Sequence, residues 1–408
     1  MSEQAETVEQ SVLPLAGVRV LDLGRHLAGP TCAMWLGDLG ADVIKVEDPK
    51  RGDDGRGSGP PFFNGQSAFF LSANRNKRSL ALDFKRPEGQ EIFRRLAATA
   101  DVVVENFRPG VMDALNIGYE RVSATNPGVI YCSISGFGVD GPAASRPGLD
   151  QIIQGFSGLM SITGFEGGEP TRVGIPVADL ITGLFGAYGV QAALLARAKT
   201  GRGQQVTTSL LEGMVGMLAF QAVRYLNGAG VPPPAGNHHP INAPYGVYRT
   251  QDGYITIGAT GDKRWNKLLE ILDMPELASD PRFAENGGRH DNRFELAEIF
   301  ETKLRRRTSD QWVEILNDAG IPCGPIYTMD QALDHPQVRH MQMVVERPHP
   351  TMGTVNLLGL PVKLSETPGN IKLVPPLLGQ QTSEILQEIG LASSEIQHLR
   401  ENGIISGE

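Results

Sequence analysis

Five short runs of apolar, often β-branched residues occur in the first third of the chain, and each predicts a buried strand. They cover Val18–Leu23, Val43–Val46, Ser79–Leu82, Asp101–Glu105 and Gly128–Ser135. Segments with helical spacing of their apolar positions separate these runs, at Pro30–Leu39, at Pro87–Ala98 and around Val111–Leu115. Because the strands are apolar on both faces and alternate with helices, they predict a parallel sheet covered on both sides. The expected fold class is therefore α/β, with a Rossmann-like large domain.

The second half of the chain changes character. Apolar helical patterns at Leu180–Ala198 and Thr207–Tyr225 are followed by a stretch rich in Gly, Pro and Asn, residues 226–247, which predicts a loop. Tyr248–Ala259 then has the pattern of a hairpin that turns at residues 251–253. Helical patterns near Trp265–Leu272, Arg293–Arg305 and Ser309–Ala319 predict a smaller α+β domain. Mixed strand and helix patterns return near the end, at residues 352–366 and Thr382–Leu391.

These patterns divide the 408 residues into four parts. We predict a disordered tail at residues 1–13, a large domain at 14–225, a linker and small domain at 226–338, and a return to the large domain at 339–408. A chain of this length has room for two domains with real cores.

Composition narrows the possible partners. A content of 40% hydrophobic and 20% charged residues is ordinary for a globular protein, and the net charge of −9 disfavours nucleic acid or an anionic membrane. No apolar run long enough to span a bilayer is expected, and the first residues lack a signal-peptide pattern. Cys32, Cys132 and Cys323 are too scattered for disulfides or a metal site, and the first two are expected to be buried and inert. A cytoplasmic location is expected, with an organelle matrix as the alternative.

The most informative polar residue is Asp179, which follows a Gly/Pro-rich run and precedes the apolar segment from Leu180. One interpretation makes it a helix N-cap, whose oxygens accept the N–H groups of the first turn. The other makes it a nucleophilic carboxylate, held near the positive end of the helix dipole. Geometry alone leaves both interpretations open.

Nucleotide binding has partial support. The loop after the first strand places Gly24 and Gly29 five residues apart, so the G-x-G-x-x-G fingerprint is absent, as is a Walker A motif, and neither NAD nor ATP is expected through them. A basic run at residues 74–86 and the loop ENFRPG at residues 105–110 nevertheless suit a phosphorylated nucleotide at the carboxyl ends of the strands. A solvated charged surface is the alternative for both.

Several stretches together carry a family resemblance: LAGPTCAMWLGDLGADVIKVEDPKRGDDGR, NRNKRSLALDFKRPEG, ADVVVENFRPGVMDALNIGYE, NPGVIYCSISGFG, TGRGQQV and AGIPCGPI. From about Leu15 to Leu391 the chain resembles the family III CoA-transferases, which include formyl-CoA:oxalate and carnitine CoA-transferases. The resemblance implies an interlocked-ring homodimer with a Rossmann-like large domain. It also implies coenzyme A thioesters as substrates and no tightly bound cofactor.

The resemblance also implies site residues. The family's nucleophilic aspartate falls on Asp179, and a second acid near the reaction centre falls on Asp150. The expected coenzyme A contacts are Leu27, Ala28, the segment from Leu82 to Lys85, Asn106, Phe107 and Arg108.

Three departures from formyl-CoA transferase make formyl or oxalate specificity doubtful. Leu27 stands where that enzyme has a functional Gln, and Asp48 replaces an Arg that contacts the nucleotide, so Lys45 or Arg56 is expected to substitute. The tetraglycine loop is replaced by Gly236–Pro240.

The expected acceptor is a carboxylic acid, with a dicarboxylic acid preferred, and the expected donor is succinyl-CoA. Asn237, His238, His239 and also Arg172 are candidates to bind the distal carboxylate, although adjacent histidines in such a loop are often only solvent-exposed. One alternative is an α-methylacyl-CoA racemase-like isomerase, whose Gly-His-Asp stretch corresponds here to Gly148-Leu149-Asp150 and so lacks the His. Another is a CoA-binding protein without turnover, in which Asp179 would serve only as a cap.

Overall fold

The computed structural model describes residues 13–408, so the disordered tail expected at residues 1–13 lies almost entirely outside the described residues. Fourteen strands occur in that part of the chain. They are β1 (Arg19–Asp22), β2 (Asp42–Glu47), β3 (Phe62–Phe63), β4 (Gln66–Ser67), β5 (Lys77–Leu82), β6 (Val102–Glu105), β7 (Ile130–Ser135), β8 (Gln204–Ser209), β9 (Tyr245–Arg249), β10 (Tyr254–Gly258), β11 (Cys323–Pro325), β12 (Val344–His349), β13 (Gly353–Leu358) and β14 (Ile405–Ser406).

Eighteen α-helices are found in the same residues. They are α1 (Ala28–Asp38), α2 (Ala68–Ala73), α3 (Pro87–Ala97), α4 (Val111–Ala114), α5 (Tyr119–Ser123), α6 (Asp150–Phe156), α7 (Leu159–Ile162), α8 (Val177–Thr200), α9 (Leu210–Met217), α10 (Ala219–Leu226), α11 (Asp262–Leu272), α12 (Asn286–Asp291), α13 (Arg293–Leu304), α14 (Ser309–Asp318), α15 (Met329–Asp334), α16 (Pro336–His340), α17 (Thr382–Glu388) and α18 (Ser393–Glu401).

The central sheet has the strand order β14-β5-β2-β1-β6-β7-β8 and is parallel except for β14. The α/β class and all five strands expected from the sequence are confirmed. The helix expected from Thr207 is wrong at its start, because Thr207–Ser209 belong to the edge strand β8, which pairs with β7. Of this edge strand only Ser209 is buried, so its QQVTTS sequence carries few apolar residues and no buried-strand pattern.

Two cores cover the two faces of this sheet. Leu21 of β1 packs into a cluster completed by α3, α17 and α18. Its neighbour Val20 points into the other cluster, which α1 and α8 complete. Successive side chains of a strand alternate between faces, so a strand that is apolar throughout feeds both cores.

Helix α8 lies directly on α1, because Gly183 has no side chain. A Cβ at Gly183 would come within 2.8 Å of the carbonyl oxygen of Ala28 and 3.3 Å of the Cys32 nitrogen. The close contact joins the second turn of α8 to the beginning of α1, so the N-terminal parts of the two helices lie side by side. Helix α8 ends at Gly201, whose left-handed φ of 73° is strained for residues with a side chain.

By length and composition α8 is the one described helix that could cross a membrane. This differs from the expectation that no apolar run is long enough. The helix packs against α1, β7 and β8, as a core helix of an α/β sheet does.

The described residues form two compact units. The first contains residues up to Leu159, Val173–Val223 and Pro336–Glu408, and the second contains Met160–Arg172 and Arg224–His335. Residues 160–172 therefore belong to the second unit, although the sequence pattern had placed them in the large domain.

The second unit has its own antiparallel sheet, β11-β10-β9, and its own core around Trp265, Phe300 and Trp312. The hairpin and the three helices expected there are confirmed as β9–β10, α11, α13 and α14.

Candidate active site

Asp179 is the third residue of α8, and the residue at the N-cap is Pro176, with no side-chain capping hydrogen bond. The interpretation of Asp179 as the N-cap is therefore wrong, because the helix starts at Val177 rather than Leu180. The side chain is half-buried, and within residues 13–408 no group donates a hydrogen bond to its carboxylate. Burial and then the negative charge of Asp150 raise the pKa of Asp179 from 3.8 to about 7.

Asp150 is the first residue of α6, and both of its carboxylate oxygens accept hydrogen bonds. Oδ1 accepts from the backbone N–H of Ala178 at 2.8 Å, and Oδ2 accepts from Nε2 of Gln154 at 2.7 Å. The carboxylate therefore satisfies a first-turn N–H of α8 while lying near enough to Asp179 to oppose its ionisation. The two acids expected in the site are brought together.

Gln154 is a residue of this site that the sequence patterns do not single out. It is fully buried and accepts a hydrogen bond from the Val173 N–H at 2.9 Å. The available signal was its position one helical turn after Asp150, on the side that carries Ile153 into the core.

The loops after β1 and β6 meet at the point where the strand order of the sheet reverses. Asn106 is bonded to both main-chain groups of Arg25, with its Oδ1 2.7 Å from the N–H nitrogen and its Nδ2 2.9 Å from the carbonyl oxygen. The Arg25 guanidinium lies over the Phe107 ring at 4.9 Å. Ligands of open α/β sheets bind at this kind of position.

Leu27 and Ala28 lie at the start of α1, with side chains that are only 4% and 1% exposed. Neither side chain is therefore open to a ligand. The first turn of α1 has neither a side-chain cap nor an acidic residue, so its N–H groups and dipole favour an anion.

The segment from Leu82 to Lys85 leaves the end of β5. Leu82 is fully buried, and Phe84 is buried edge-to-face against Phe107, with ring centroids 6.1 Å apart. Lys85 is exposed, with its Nζ 4.0 Å from Asp48. Leu82 and Phe84 are therefore closed to a ligand, whereas Lys85 offers it a cation at the surface.

A cavity of about 180 Å³ lies beside the ENFRPG loop, with Glu105, Phe107, Arg108 and Ser133 in its wall. Burial raises the pKa of Glu105 to about 7. Its Oε2 accepts the N–H of Phe107 at 2.8 Å, which fixes the turn from β6 into the loop.

A buried ionic network lies beneath the loop after β1. The Lys45 amine contacts Asp53 at 2.8 Å and the Gly24 carbonyl at 2.9 Å, while the Lys77 amine contacts Asp22 at 2.7 Å. Asp53 also accepts the N–H of His26 at 2.9 Å, so the network holds the loop in place.

Asp48 stands where formyl-CoA transferase has an Arg that contacts the nucleotide. Neither Lys45 nor Arg56, the two residues expected to replace that Arg, is available for the contact. The Lys45 side chain is 0% exposed, so that expectation is wrong. Arg56 is bidentate to Glu47 at 2.7 and 2.8 Å and stacks on Phe70 at 3.8 Å. Both cations are therefore already engaged within the protein.

In the second unit, the His238 ring packs edge-to-face against Tyr248 and Phe294. The Nδ1 of His239 accepts the N–H groups of residues 241 and 242, both at 3.1 Å, which places the proton of the neutral ring on Nε2. Burial lowers the pKa of both histidines, and nearby Arg293 adds to this for His238. Asn237 is exposed in the same loop.

Cys32 and Cys132 are fully buried, as expected. A hydrogen bond to Cys132 and burial raise the pKa of the Cys32 thiol, which keeps it protonated and a poor nucleophile.

The chain is similar to known proteins over most of its length. The model of "CoA-transferase family III" matches residues 15–382. The human succinyl-CoA:glutarate CoA-transferase is 42% identical, over 93% of this chain and 86% of its own length. A succinate–glutarate CoA-transferase of Agrobacterium fabrum is 37% identical, over 92% and 96%. A CAIB/BAIF family protein from Brucella suis superposes with a TM-score of 0.83 at 40% identity, over 92% of this chain and 99% of its own. With a matching fold and a family model that spans nearly all of its length, the chain belongs to the family III CoA-transferases.

Proposed function

We propose that this enzyme transfers coenzyme A from succinyl-CoA to a dicarboxylic acid, with Asp179 as the nucleophile. The observation that carries the proposal is the state of the Asp179 carboxylate, which is half-buried and receives no hydrogen bond from any described residue. A carboxylate of this kind has little solvation to lose when it attacks a thioester. The choice of substrates is supported by relatives named as succinyl-CoA:glutarate and succinyl-CoA–D-citramalate CoA-transferases.

The reaction proceeds in four exchanges. Asp179 attacks the succinyl carbonyl, which forms a mixed anhydride and releases the coenzyme A thiolate. The thiolate attacks the aspartyl carbonyl, which releases succinate and leaves an aspartyl-CoA thioester. The acceptor carboxylate attacks that thioester, which forms a second anhydride and frees the thiolate. The thiolate then attacks the acceptor carbonyl, which gives the new acyl-CoA and regenerates Asp179. No proton is gained or lost overall, so no step requires a strong acid or base.

We place coenzyme A at the switch point of the sheet. Backbone N–H groups at Leu27 and Ala28 suit an oxyanion or a phosphate, because they begin a helix that carries no first-turn acid. Phe107 and Arg108 offer an aromatic face and a cation in the wall of the cavity, and Lys85 a further cation. Asn106 then fixes the two loops to one another.

We assign the distal carboxylate of the acid to the loop at Asn237, His238 and His239. Asn237 offers an exposed amide to such a carboxylate, and the two histidines beside it have lowered pKa values. Neutral imidazoles favour the selective binding of a carboxylate by hydrogen bonds rather than by charge.

We further propose an interlocked homodimer with a Rossmann-like large domain, located in the cytoplasm. Large apolar side chains are exposed along α8 and the neighbouring α9, and a patch of this kind is typical of an interface between subunits. They include Leu184, Tyr188, Leu195, Val215 and Met217, which are 48–69% exposed. Light scattering of the purified protein should give twice the chain mass of 44.0 kDa.

Mass spectrometry after incubation with succinyl-CoA tests the proposal. Trapping with hydroxylamine or borohydride should label the peptide that contains Asp179, and the label should be absent from Asp179→Ala. No adduct with any acyl-CoA, together with entry of solvent deuterium at the α-carbon of a 2-methylacyl-CoA, would indicate a racemase instead. Binding of CoA esters with neither result would indicate a CoA-binding protein without turnover. The exposed Leu149 at the start of α6 supplies no second base, which favours the transferase.

A further inference from the structure

Gln154 is a fully buried amide whose two ends are both hydrogen-bonded. Its Nε2 donates to Asp150 Oδ2 at 2.7 Å and lies 3.5 Å from the Ile175 carbonyl oxygen. Its Oε1 accepts the N–H of Val173 at 2.9 Å. A buried amide is stable only when it is paired in this way, so its orientation is fixed by these partners.

These bonds hold both ends of one short segment. Gln154 contacts the segment at Val173, and Asp150, which Gln154 orients, accepts the N–H of Ala178 at 2.8 Å. Asp179 is the next residue along the chain. The Gln154 amide and the Asp150 carboxylate together therefore determine where α8 begins and how its first turn is directed.

Asp150 is also the neighbour whose charge changes the pKa of Asp179. Helix α8 packs against α1, α6, α9, β7 and β8, and the acidic groups on those elements are Asp38, Asp150 and Glu212. Only Asp150 raises the pKa of Asp179 by its charge. Displacing the Asp150 carboxylate would therefore change the ionisation of Asp179 as well as its direction.

We propose that Gln154 is a positioning residue of the transferase reaction, which holds Asp150 and the segment Val173–Ala178 in the arrangement that presents Asp179 to the thioester. This inference rests on the proposed function for its catalytic part. The arrangement itself rests on the hydrogen bonds alone.

Two substitutions test the role. Gln154→Met keeps the volume but removes the donor and the acceptor. Gln154→Glu keeps the shape and can donate to Asp150 only while the added carboxyl is protonated. Gln151 is exposed on the same helix, so Gln151→Met and Gln151→Glu are the matched controls.

Two measurements are made on each protein. The first is the rate of adduct formation at Asp179 with succinyl-CoA in a single turnover from pH 5.5 to 8.5, together with the dissociation constant of succinyl-CoA. The second is the pH dependence of the stability difference between each variant and its Asp179→Asn counterpart. This second measurement reports the pKa of Asp179 without any turnover.

We expect Gln154→Met to slow adduct formation at least 10-fold, with the dissociation constant changed less than threefold and the pKa of Asp179 lowered by about one unit. Compared with the wild type at the same pH, Gln154→Glu should be nearly as fast at low pH and fall progressively further behind as the pH rises, while both Gln151 controls behave as the wild type. A lower melting temperature with an unchanged single-turnover rate and an unchanged Asp179 titration would overturn the proposal. If Gln154→Met does not fold, a wild-type pH profile in Gln154→Glu overturns it. If the wild type forms no adduct, the proposed function fails, and the titration still decides whether Gln154 sets the state of Asp179.

Discussion

Replacing Asp179 with Asn should make the folded protein more stable at neutral and alkaline pH. Burial and Asp150 raise the pKa of Asp179 to about 7, against 3.8 for an ordinary aspartate. Between these two values the folded state holds a proton that the unfolded chain has lost, so the wild type loses stability as the pH rises from about 4 to about 7. Above that range the loss is constant. Asn carries no charge at any pH, so the Asp179→Asn variant does not lose this stability as the pH rises.

The magnitude follows from the shift. The full difference in pKa corresponds to about 4 kcal/mol, and because the side chain is only half-buried we expect about 1–2 kcal/mol at pH 8. The assay is denaturant unfolding of wild type and Asp179→Asn, without coenzyme A and at one protein concentration, at several pH values from 5 to 8.5. Asp140→Asn, which removes an aspartate at an exposed position, is the matched control.

A stability difference between wild type and Asp179→Asn that does not change with pH, or that shrinks as the pH rises, would refute this reasoning. Such a result would mean that the folded protein accommodates the charged carboxylate as well as water does. If confirmed, the gain would accompany the loss of the nucleophile, which is the usual relation between a strained functional group and stability.

Three further predictions concern neighbouring features. Asp150→Asn removes the charge that opposes ionisation of the nucleophile, so the apparent pKa of adduct formation, about 7 in the wild type, should fall when single-turnover rates are measured against pH. Gly183→Ala introduces a Cβ 2.8 Å from a backbone oxygen and should destabilise the fold by roughly 1–3 kcal/mol in denaturant unfolding, whereas Gly287→Ala, with open space around it, should be neutral or slightly stabilising. Lys77→Met removes the closer of the two amines that pair with the buried Asp22 carboxylate and should cost about 3 kcal/mol, because the other amine, that of Lys45, is 3.8 Å away. Lys50→Met, at the surface, should change stability by less than about 0.5 kcal/mol.

The sequence predicted the central strands because a strand buried on both faces must be apolar at nearly every position, as in residues 102–104. It could not predict β8, because this edge strand buries only its last residue and therefore has a polar sequence without a strand pattern. The ENFRPG loop was placed correctly at the end of a strand, since the strand before it is unmistakable.

The candidate site was predictable only in part. Asp179 stood out because it lies between a Gly/Pro-rich run and an apolar helix, but the true start of that helix at Val177 was hidden by the preceding Pro176. The one signal for Gln154, its position one helical turn after Asp150, is weak, because a glutamine in a helix usually faces solvent and only the packing of α6 shows that this one is buried. Lys45 likewise looked like a ligand-binding cation until its carboxylate partners were located.

The buried ionic network beneath the loop after β1 has a consequence for the kinetics of ligand association. Opening that loop would separate Lys45 from Asp53 and release the N–H of His26, exposing charges that are stable only as a set. Amide hydrogens held by the network should therefore exchange with solvent only when the whole unit unfolds, and not by local fluctuation. The network therefore predicts a loop that is ordered before any ligand arrives, so that association should proceed without a slow ordering step and the entropy lost on binding should be mainly that of the ligand itself.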